Sequence, residues 1–591
     1  MKSRRIQTSS FILHPFLRTI LDMRLILSII GSLGWLAATF AASSSRSMDE
    51  AFEALRNPDP QIRATATKQI ESLGLAARPA LIEASQAHDR QIAGQAAEML
   101  MKLPFFREDD PASIRALLAD YHTQPAEQRE LTILGSVLRV NEAPELICRL
   151  MMEDPDDQIA WSISDVYAGQ RDVFWKPLFQ CDFALARPAV RATLARGLFF
   201  SDRAKARELL KEVVTEEENY PTAPPEKLHE MYRLLAADAQ VNGRLSEALH
   251  YQRRAAEIPL GAPVTVDGDE VNEISPLTSL LAFYAGVGMI DGFGDDLADH
   301  WEEIPRPENL YGLSRVFSCP GLTPISAAFE RLGDASLPAD IADRIAIGES
   351  LAEHQWISPA VRILQDATRR SVGPAEDALS RARQWRCAYT LYALAKESGD
   401  DIAAIKYTQD MIKMFEGAQT DASPKALEAR VLGHQIHAAR HTGDKAALKK
   451  LTAECLRTMD ASLLDADSGA ELVNALREIG EVERARIEFE KLFQQHQEAV
   501  TQSDEAPQEL NNLAWLCAGV GEKKDLAVDA AERAIRAQPA EYGSIDTAAL
   551  ANFRAGKIDR AIELETFALA LHPNDLFLIR QLEMFRKAKK R

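Results

Sequence analysis

The chain has 591 residues, of which 46% are hydrophobic and 26% are charged, and its formal net charge is −20. This composition is typical of a folded protein and excludes global disorder, a collagen-like chain and a protein with many membrane spans. Without the six bases and one acid of residues 1–48 and the five bases of residues 586–591, residues 49–585 hold 57 bases and 87 acids, a net charge of −30. A body this acidic repels phosphates, so we expect no nucleic-acid partner.

The N-terminal segment has the features of a targeting sequence. Residues 25–42 are uncharged and apolar, follow the basic Arg24 and end in small residues. This order predicts an export signal on residues 1–48, with Met23 as an alternative start to Met1 and cleavage after Ala41. Eighteen apolar residues are also just enough to cross a bilayer, so an uncleaved anchor at Leu25–Ala42 is the competing interpretation. Both interpretations place the body outside the cytoplasm.

The chain from residue 49 onward is rich in Ala, Leu, Glu and Arg at helical spacing, which predicts an all-α protein. A period of 30 residues matches Asp59 with Asp89, Ile62 with Ile92, Ala66 with Ala96 and Leu73 with Leu103. A helix, a tight turn and a second helix that packs through small residues would produce this period. The pattern resembles HEAT repeats, and we assign residues 49–220 to HEAT-like helical repeats.

A second period, of 34 residues, lies near the C-terminus. Ala527, Ala534 and Pro539 recur as Ala561, Ala568 and Pro573. Gly556 stands at the turn before Ala561, where glycine permits a left-handed backbone and alanine lets two helices approach closely. These features resemble the tetratricopeptide repeat (TPR), and looser copies begin at Gly243, Gly399, Gly443 and Gly480. The two resemblances together imply an α-solenoid of stacked antiparallel helix pairs, roughly a dozen in number, HEAT-like first and TPR-like after.

The remaining boundaries follow from these repeats. We expect a TPR-like unit at 221–260, an irregular helical insert at 261–338, a TPR-like array at 339–581 and a basic C-terminal tail at 582–591. The insert is rich in proline, and its glycine-rich stretch 286–294 reads as a turn between helices rather than a phosphate-binding loop. Asp267 and its neighbours read as a solvated turn rather than a calcium loop.

Few residues signal chemistry. No CxxC pair occurs among the six cysteines, which we expect to be single thiols packed in helices. His434, His437 and His441 fall within about 60° of one another on a helical face, which leaves open a helical ligand or metal receptor. An enzyme with a site in the 261–338 insert is the other alternative. We expect neither a catalytic residue, nor a bound metal, nor a cofactor.

The TPR resemblance implies that a concave wall, built by the first helix of each pair, binds protein or peptide partners. The candidate partner-binding residues on that wall are Tyr389, Lys396, His437, Arg440, Asn474, Arg477, Asn512 and Phe553. We therefore expect a non-catalytic scaffold of the bacterial envelope. It would be exported, periplasmic or anchored in the inner membrane facing the periplasm, with a possible tether through Leu25–Ala42.

Overall fold

The structure is a computed structural model, in which the chain divides into two compact units. It describes residues 50–590 apart from short gaps, which fall at 52, 56, 58, 86–89, 101, 104, 108–109, 138–142, 155, 169–171, 180–185, 260–264, 267–268, 271–274, 289–291, 372–377, 416–422 and 504–505. The predicted targeting segment and its candidate starts lie outside the described residues. Within the described part of the chain, no helix is long and apolar enough to cross a membrane.

Unit 1 comprises the residues up to Val137 together with Glu153–Asp156. Its helices are α1 (Pro60–Ser72), α2 (Arg78–Ser85), α3 (Arg90–Leu100), α4 (Ala112–Leu117) and α5 (Ala126–Gly135). Asp59 caps α1, since its side chain accepts a hydrogen bond from the Gln61 amide. Ala66 and Ala96, which the 30-residue period pairs, are both buried in one apolar core. The HEAT-like assignment of this region stays a prediction.

Buried ion pairs bind the four-residue segment Glu153–Asp156 into unit 1. Arg78 Nε donates to Glu153 Oε2 at 2.9 Å, and both side chains are almost fully buried. Arg129 NH1 donates to Asp154 Oδ1 at 2.5 Å, and Asp154 has no exposed surface. The Tyr121 hydroxyl also donates to Asp154, at 2.9 Å. Since a buried carboxylate without a partner is costly, these bonds fix the position of the segment.

Unit 2 comprises Leu138–Met152 and Asp157–Arg591 and is helical almost throughout its described length. Its earlier helices are α6 (Ala143–Glu153), α7 (Asp157–Ala168), α8 (Asp172–Phe179), α9 (Pro188–Leu198), α10 (Arg203–Asn219), α11 (Pro225–Val241), α12 (Leu245–Ala256), α13 (Pro276–Val287), α14 (Phe293–Asp299), α15 (Pro307–Val316), α16 (Thr323–Ser336), α17 (Ile341–Glu353) and α18 (Ile357–Arg370). Its later helices are α19 (Ala378–Ser398), α20 (Asp401–Lys413), α21 (Pro424–Thr442), α22 (Lys445–Thr458), α23 (Ala466–Glu478), α24 (Val482–Gln502), α25 (Pro507–Val520), α26 (Lys524–Ala537), α27 (Tyr542–Arg554), α28 (Ile558–Leu571) and α29 (Leu576–Lys589).

The predicted α-solenoid of stacked antiparallel helix pairs is confirmed. Consecutive helices pack most closely as the pairs α11–α12, α15–α16, α17–α18, α19–α20, α25–α26 and α27–α28. The first helices α21, α23, α25 and α27 also pack directly on one another. The 34-residue period corresponds to the two successive pairs α25–α26 and α27–α28.

The predicted turn residues take the conformations that the repeat requires. Gly243, Gly399, Gly443, Gly480 and Gly556 all have a positive φ, between +70° and +88°. Only glycine adopts this backbone without strain. The residue five positions after each turn glycine is buried at 2% exposure or less, at Ala248, Ala404, Leu448, Ala485 and Ala561. A local pattern of glycine and small apolar residues therefore specifies the helix pair.

Unit 2 also closes on itself, because its last helices pack against its earlier ones. α26 contacts α9, α28 contacts α11, and α29 contacts α19. The Phe567 ring packs against both Phe199 and Phe200, with ring centres 5.3 and 5.6 Å away. Arg196 NH2 donates to the Ala537 carbonyl at 2.7 Å. The first helices α9 and α11 are thus covered by the chain's own C-terminal helices and are not an open wall.

The 261–338 segment contributes helices to the same stack. α13 packs on α15, and a two-stranded antiparallel hairpin, β1 (Thr265–Val266) and β2 (Asp269–Glu270), precedes α13. The glycine-rich stretch is a turn at both of its described ends, since Gly288 ends α13 and Gly292 precedes α14, each with a positive φ. Residues 267–268, at the predicted solvated turn, lie outside the described part.

Four cysteines are single buried thiols as predicted: Cys148, Cys387, Cys455 and Cys517. The expectation is wrong for Cys319, which is exposed. It lies in the turn between α15 and α16, directly before Pro320 and Gly321, and not within a helix. Cys181 lies outside the described residues.

Candidate functional site

The eight predicted partner-binding residues lie on the first helices of successive pairs. Tyr389 and Lys396 lie on α19, His437 and Arg440 on α21, Asn474 and Arg477 on α23, Asn512 on α25 and Phe553 on α27. We call the surface that these eight residues define the first-helix face. Its backbone support is the direct packing of α21, α23, α25 and α27.

Ion pairs connect neighbouring first helices across this face. Arg440 NH1 donates to Glu471 at 2.6 Å, and its Nε and NH2 donate to Glu478 at 2.9 and 2.7 Å. The planar guanidinium of Arg440, on α21, therefore bonds to two carboxylates of α23 in a fixed geometry. The Arg440 side chain is one-fifth exposed, so these bonds are partly shielded from water.

A second set of bonds ties α23 to the C-terminus of α25. Asn474 Nδ2 donates to the Gly519 carbonyl at 3.1 Å, and Arg477 NH1 donates to the Val520 carbonyl at 2.7 Å. The last carbonyls of a helix have no partner within it. Asn474 and Arg477 thus recognise carbonyl groups, as expected from their chemistry, but the carbonyls belong to the chain itself.

Lys396 is held by a carboxylate from a distant helix. Its Nζ forms an ion pair with Asp467 of α23, and the Trp515 indole N–H of α25 donates to the same carboxylate. The charge of Asp467 raises the pKa of Lys396 above its usual range. These contacts join α19 to α23 and α25.

Three further members of the face have different surroundings. Tyr389 is 55% exposed. Phe553 is half-buried and stacks on Phe585, with 4.6 Å between ring centres. Asn512 contacts residues of its own helix, since its Oδ1 accepts from Gln508 Nε2 at 3.2 Å. Tyr389 therefore projects furthest into solvent.

Two of the three histidines share one carboxylate. Asp401, the first residue of α20, lies 3.1 Å from His434 Nδ1 and 2.7 Å from His437 Nδ1. The hydrogen bond to Asp401 raises the pKa of His437. Burial alone would raise the pKa of Asp401, but the two imidazoles outweigh it and hold that pKa below its usual range. His441 lies 4.0 Å from His437 between ring centres, and its Nδ1 is bonded to the His437 carbonyl.

Among the described residues, no group of three His, Cys, Asp or Glu side chains is placed to hold a metal ion. The Nδ1 atoms of His434 and His437 point to Asp401, so the cluster ties α20 to α21.

The 261–338 segment uses its buried polar groups for packing. Asn309 Nδ2 donates to Ser275 Oγ at 2.9 Å, and Thr278 Oγ1 donates to Asn309 Oδ1 at 2.7 Å. Asp296 accepts from Arg253 Nε at 2.6 Å and is also bonded to the Tyr284 hydroxyl. These bonds join helices, which favours a structural role for this segment.

A cavity of about 310 Å³ lies next to Tyr389, between the first helices α19 and α21. Both helices pack on α20, which separates them. Met411 of α20 and Leu427 of α21 lie at the inner side of the cavity, both almost fully buried. Trp385 and Tyr389 of α19 provide aromatic walls. Of the eight residues that define the first-helix face, Tyr389 lines this cavity.

The rim of this cavity carries two guanidinium groups. Arg386 Nε and NH2 donate to the Glu349 carboxylate at 3.2 and 2.6 Å. Arg430 Nε donates to Asp465 at 3.2 Å, and its guanidinium carbon lies 5.2 Å from the centre of the Tyr392 ring. Sequence reasoning found Tyr389 and missed the other lining residues. The spacing of Trp385 and Tyr389, one helical turn apart, is the signal that indicates a shared aromatic face.

Sequence reasoning also missed a buried pair of carboxyl groups. Asp546 of α27 accepts a hydrogen bond from Gln581 Nε2, which lies 3.4 Å from Glu565 Oε2. Burial raises the pKa of Asp546 and that of Glu565 well above their usual range. The pair lies between α27, α28 and α29, where it contributes to packing.

Comparison with known proteins adds little to this geometry. No family model matches the chain, and no curated protein matches it. Among solved structures, the TPR domain of P58(IPK) aligns at 11% identity over 68% of this chain and 98% of its own, with a TM-score of 0.16. The Cut9–Hcn1 hetero-tetramer of APC/C aligns at 14% identity over 93% of this chain and 94% of the matched chain, with a TM-score of 0.21. These TM-scores are too low to support any conclusion about this chain, so the assignment of an α-solenoid rests on the helix pairs themselves.

Proposed function

We propose that this protein is a non-catalytic repeat scaffold that binds protein or peptide partners along the first-helix face. One observation carries the proposal: the first helices α21, α23, α25 and α27 pack directly side by side, so their side chains form one continuous surface. The bonds of Arg440 and Arg477 across that surface hold it in a single arrangement. A surface that is already ordered loses little conformational entropy when it binds a partner.

The location of the open surface supports the proposal further. The C-terminal helices cover α9 and α11 and also contact the C-terminal end of α19 through Arg580. Tyr389, in the middle of α19, is 55% exposed beside a cavity. Partner binding is therefore expected on the α19–α27 part of unit 2. Repeat proteins use such extended faces for recognition.

Affinity capture with the full chain tests this function. The double variant Tyr389→Ala/Asn512→Ala removes two side chains of the face that bond to no other helix. The matched control, Arg486→Ala/Ile487→Ala, changes two exposed residues on the second helix α24. Proteins that co-purify with the wild type should be lost with the first variant and kept with the control. Equal recovery with both variants would contradict the proposal.

We further propose that the body acts outside the cytoplasm in a bacterial envelope, exported or tethered through Leu25–Ala42. Support comes from the order of basic, apolar and small residues in that segment. Cell fractionation of the full chain and of a chain without residues 1–48 tests this. The full chain should reach the periplasm or the inner membrane, and the truncated chain should stay in the cytoplasm. Identical distributions would refute targeting by this segment.

A further inference from the structure

The cavity between α19 and α21 combines three features that a single ligand must match. The apolar Met411 and Leu427 lie directly behind its surface, at 0% and 1% exposure. Its wall is aromatic, since Trp385 and Tyr389 line it. Its volume of about 310 Å³ is at the lower limit for small-molecule pockets, which makes it better suited to one large side chain than to a cofactor.

The charges at the rim are not equivalent. Arg386 is bound to Glu349 through two hydrogen bonds, so the charges of this pair compensate each other. Arg430 uses its Nε for Asp465, and its NH1 and NH2 groups bond to no other described residue. A guanidinium carries five donors, so Arg430 keeps donors for a ligand. The Arg430 side chain is 26% exposed.

Charge and shape together select the ligand. Residues 49–585 have a net charge of −30, so an anionic partner is repelled by most of this surface. Arg430 lines the cavity and is bonded to Asp465 through Nε alone. The Glu349 carboxylate, which also lines the cavity, is bonded to Arg386, and Asp465 is bonded to Arg430 through Nε. A ligand carboxylate would meet the remaining donors of Arg430. The ligand therefore needs an apolar group with an acid close to it.

We propose that this cavity binds an aromatic or long aliphatic side chain of a partner peptide while a neighbouring acidic side chain of that peptide pairs with Arg430. The inference rests on the proposed function, since it assigns a ligand to one end of the first-helix face. The apolar side chain packs on Trp385, in front of the buried Met411 and Leu427. Tyr389, at the mouth, covers the bound side chain and excludes water from the ion pair.

The test is a selection of phage-displayed random 12-residue peptides on the full-length protein. We expect enriched peptides to pair Trp, Phe, Leu or Met with a nearby Asp or Glu. Synthetic forms of these peptides are then titrated by fluorescence anisotropy. Arg430→Gln should weaken binding on the order of tenfold, and the same variant should have little effect on a peptide whose acid is replaced by its amide. Tyr389→Ala should weaken both forms of the peptide.

Two controls separate loss of binding from loss of folding. Arg486→Gln, on the exposed second helix α24, should leave the dissociation constant unchanged. Circular dichroism of each variant shows whether it folds, and Tyr389→Ala replaces an exposed residue, so its fold should be unaffected.

Each outcome supports or overturns the inference. Enriched peptides whose binding ignores both cavity variants but is lost with Asn512→Ala would overturn the cavity assignment and leave the proposed function standing. Binding of free indole-3-acetate in the cavity without any peptide binding would show a small-molecule site and overturn the peptide assignment. The absence of any enriched peptide would count against both this inference and the proposed function.

Discussion

Gly433 lies at the closest approach between two stacked first helices, α21 and α23. A Cβ atom at this position would lie 2.5 Å from Ser468 Oγ, 2.8 Å from Ser468 Cβ and 3.1 Å from Ser468 Cα. Ser468 is 5% exposed, and its Cα belongs to the backbone of α23. Relief of the clash therefore requires α23 to move, so Gly433→Ala should push the two first helices apart.

The magnitude follows from two opposing effects. Overpacking a close contact costs about 1–3 kcal/mol. Replacing glycine by alanine within a helix gains about 1 kcal/mol. The free energy of local unfolding should therefore fall by about 1 kcal/mol, which corresponds to roughly a fivefold change in the equilibrium constant for local opening. Gly94 in α3 is the matched control, because a Cβ there would meet nothing within 4 Å.

Hydrogen exchange measured by mass spectrometry is the appropriate assay, because it reports the stability of each helix separately in a protein of two units. Gly433→Ala should speed exchange in α21 and α23 about fivefold. Gly94→Ala should slow exchange in α3 by a similar factor, because only the helix gain remains. Slower exchange in α21 and α23 of Gly433→Ala would refute the close packing of the first helices.

Three further predictions concern buried charges and the closure of unit 2. Burial raises the pKa of Asp546, so the stability that its neutral form contributes is present at acid pH and is lost as pH rises through the raised pKa. Asp546→Asn should therefore raise the melting temperature more at pH 8 than at pH 5. Arg129→Met leaves Asp154 buried without its cation and should cost unit 1 about 3–5 kcal/mol in urea unfolding, part of which Asp154→Leu restores. Arg580 donates to two carbonyls at the end of α19, so Arg580→Ala should speed exchange there, whereas Arg586→Ala on the same helix should not. An equal gain in melting temperature at both pH values would contradict the Asp546 prediction, and an unchanged urea midpoint would contradict the Arg129 prediction. Equal exchange in Arg580→Ala and Arg586→Ala would contradict the third.

The helix pair was predictable from sequence because its determinants are local. Gly556 and Ala561 lie five residues apart, and a positive φ and a close helix contact follow from their lack of bulk. The same holds for Gly243 with Ala248. The 34-residue period repeats these local constraints near the C-terminus, so the pairs α25–α26 and α27–α28 follow from the amino-acid sequence alone.

The closure of unit 2 was not predictable in the same way. Phe567 packs against Phe199 across more than 300 residues, and no period or motif relates the two. Their contact depends on how a small rotation between successive pairs accumulates along the solenoid. That rotation is set by the detailed packing of each pair, which a hydrophobic pattern does not encode.

The candidate site was predictable in part. The repeat predicts which helices are the first helices of their pairs, and Tyr389 and Arg440 do lie on such helices. What each side chain contacts did not follow, because Arg477 bonds to the Val520 carbonyl through the relative position of two pairs. The cavity depends on α20 holding α19 and α21 apart, which is a tertiary effect.

Site-specific photo-cross-linking tests the central claim, that partners bind the first-helix face, most directly. Tyr389 is replaced in the full-length protein by p-benzoylphenylalanine, and Ile487 on the second helix α24 is replaced in a parallel control. After irradiation in cells, we predict a discrete cross-linked partner at position 389 and none at position 487. A partner cross-linked equally at both positions, or only at 487, would contradict this claim.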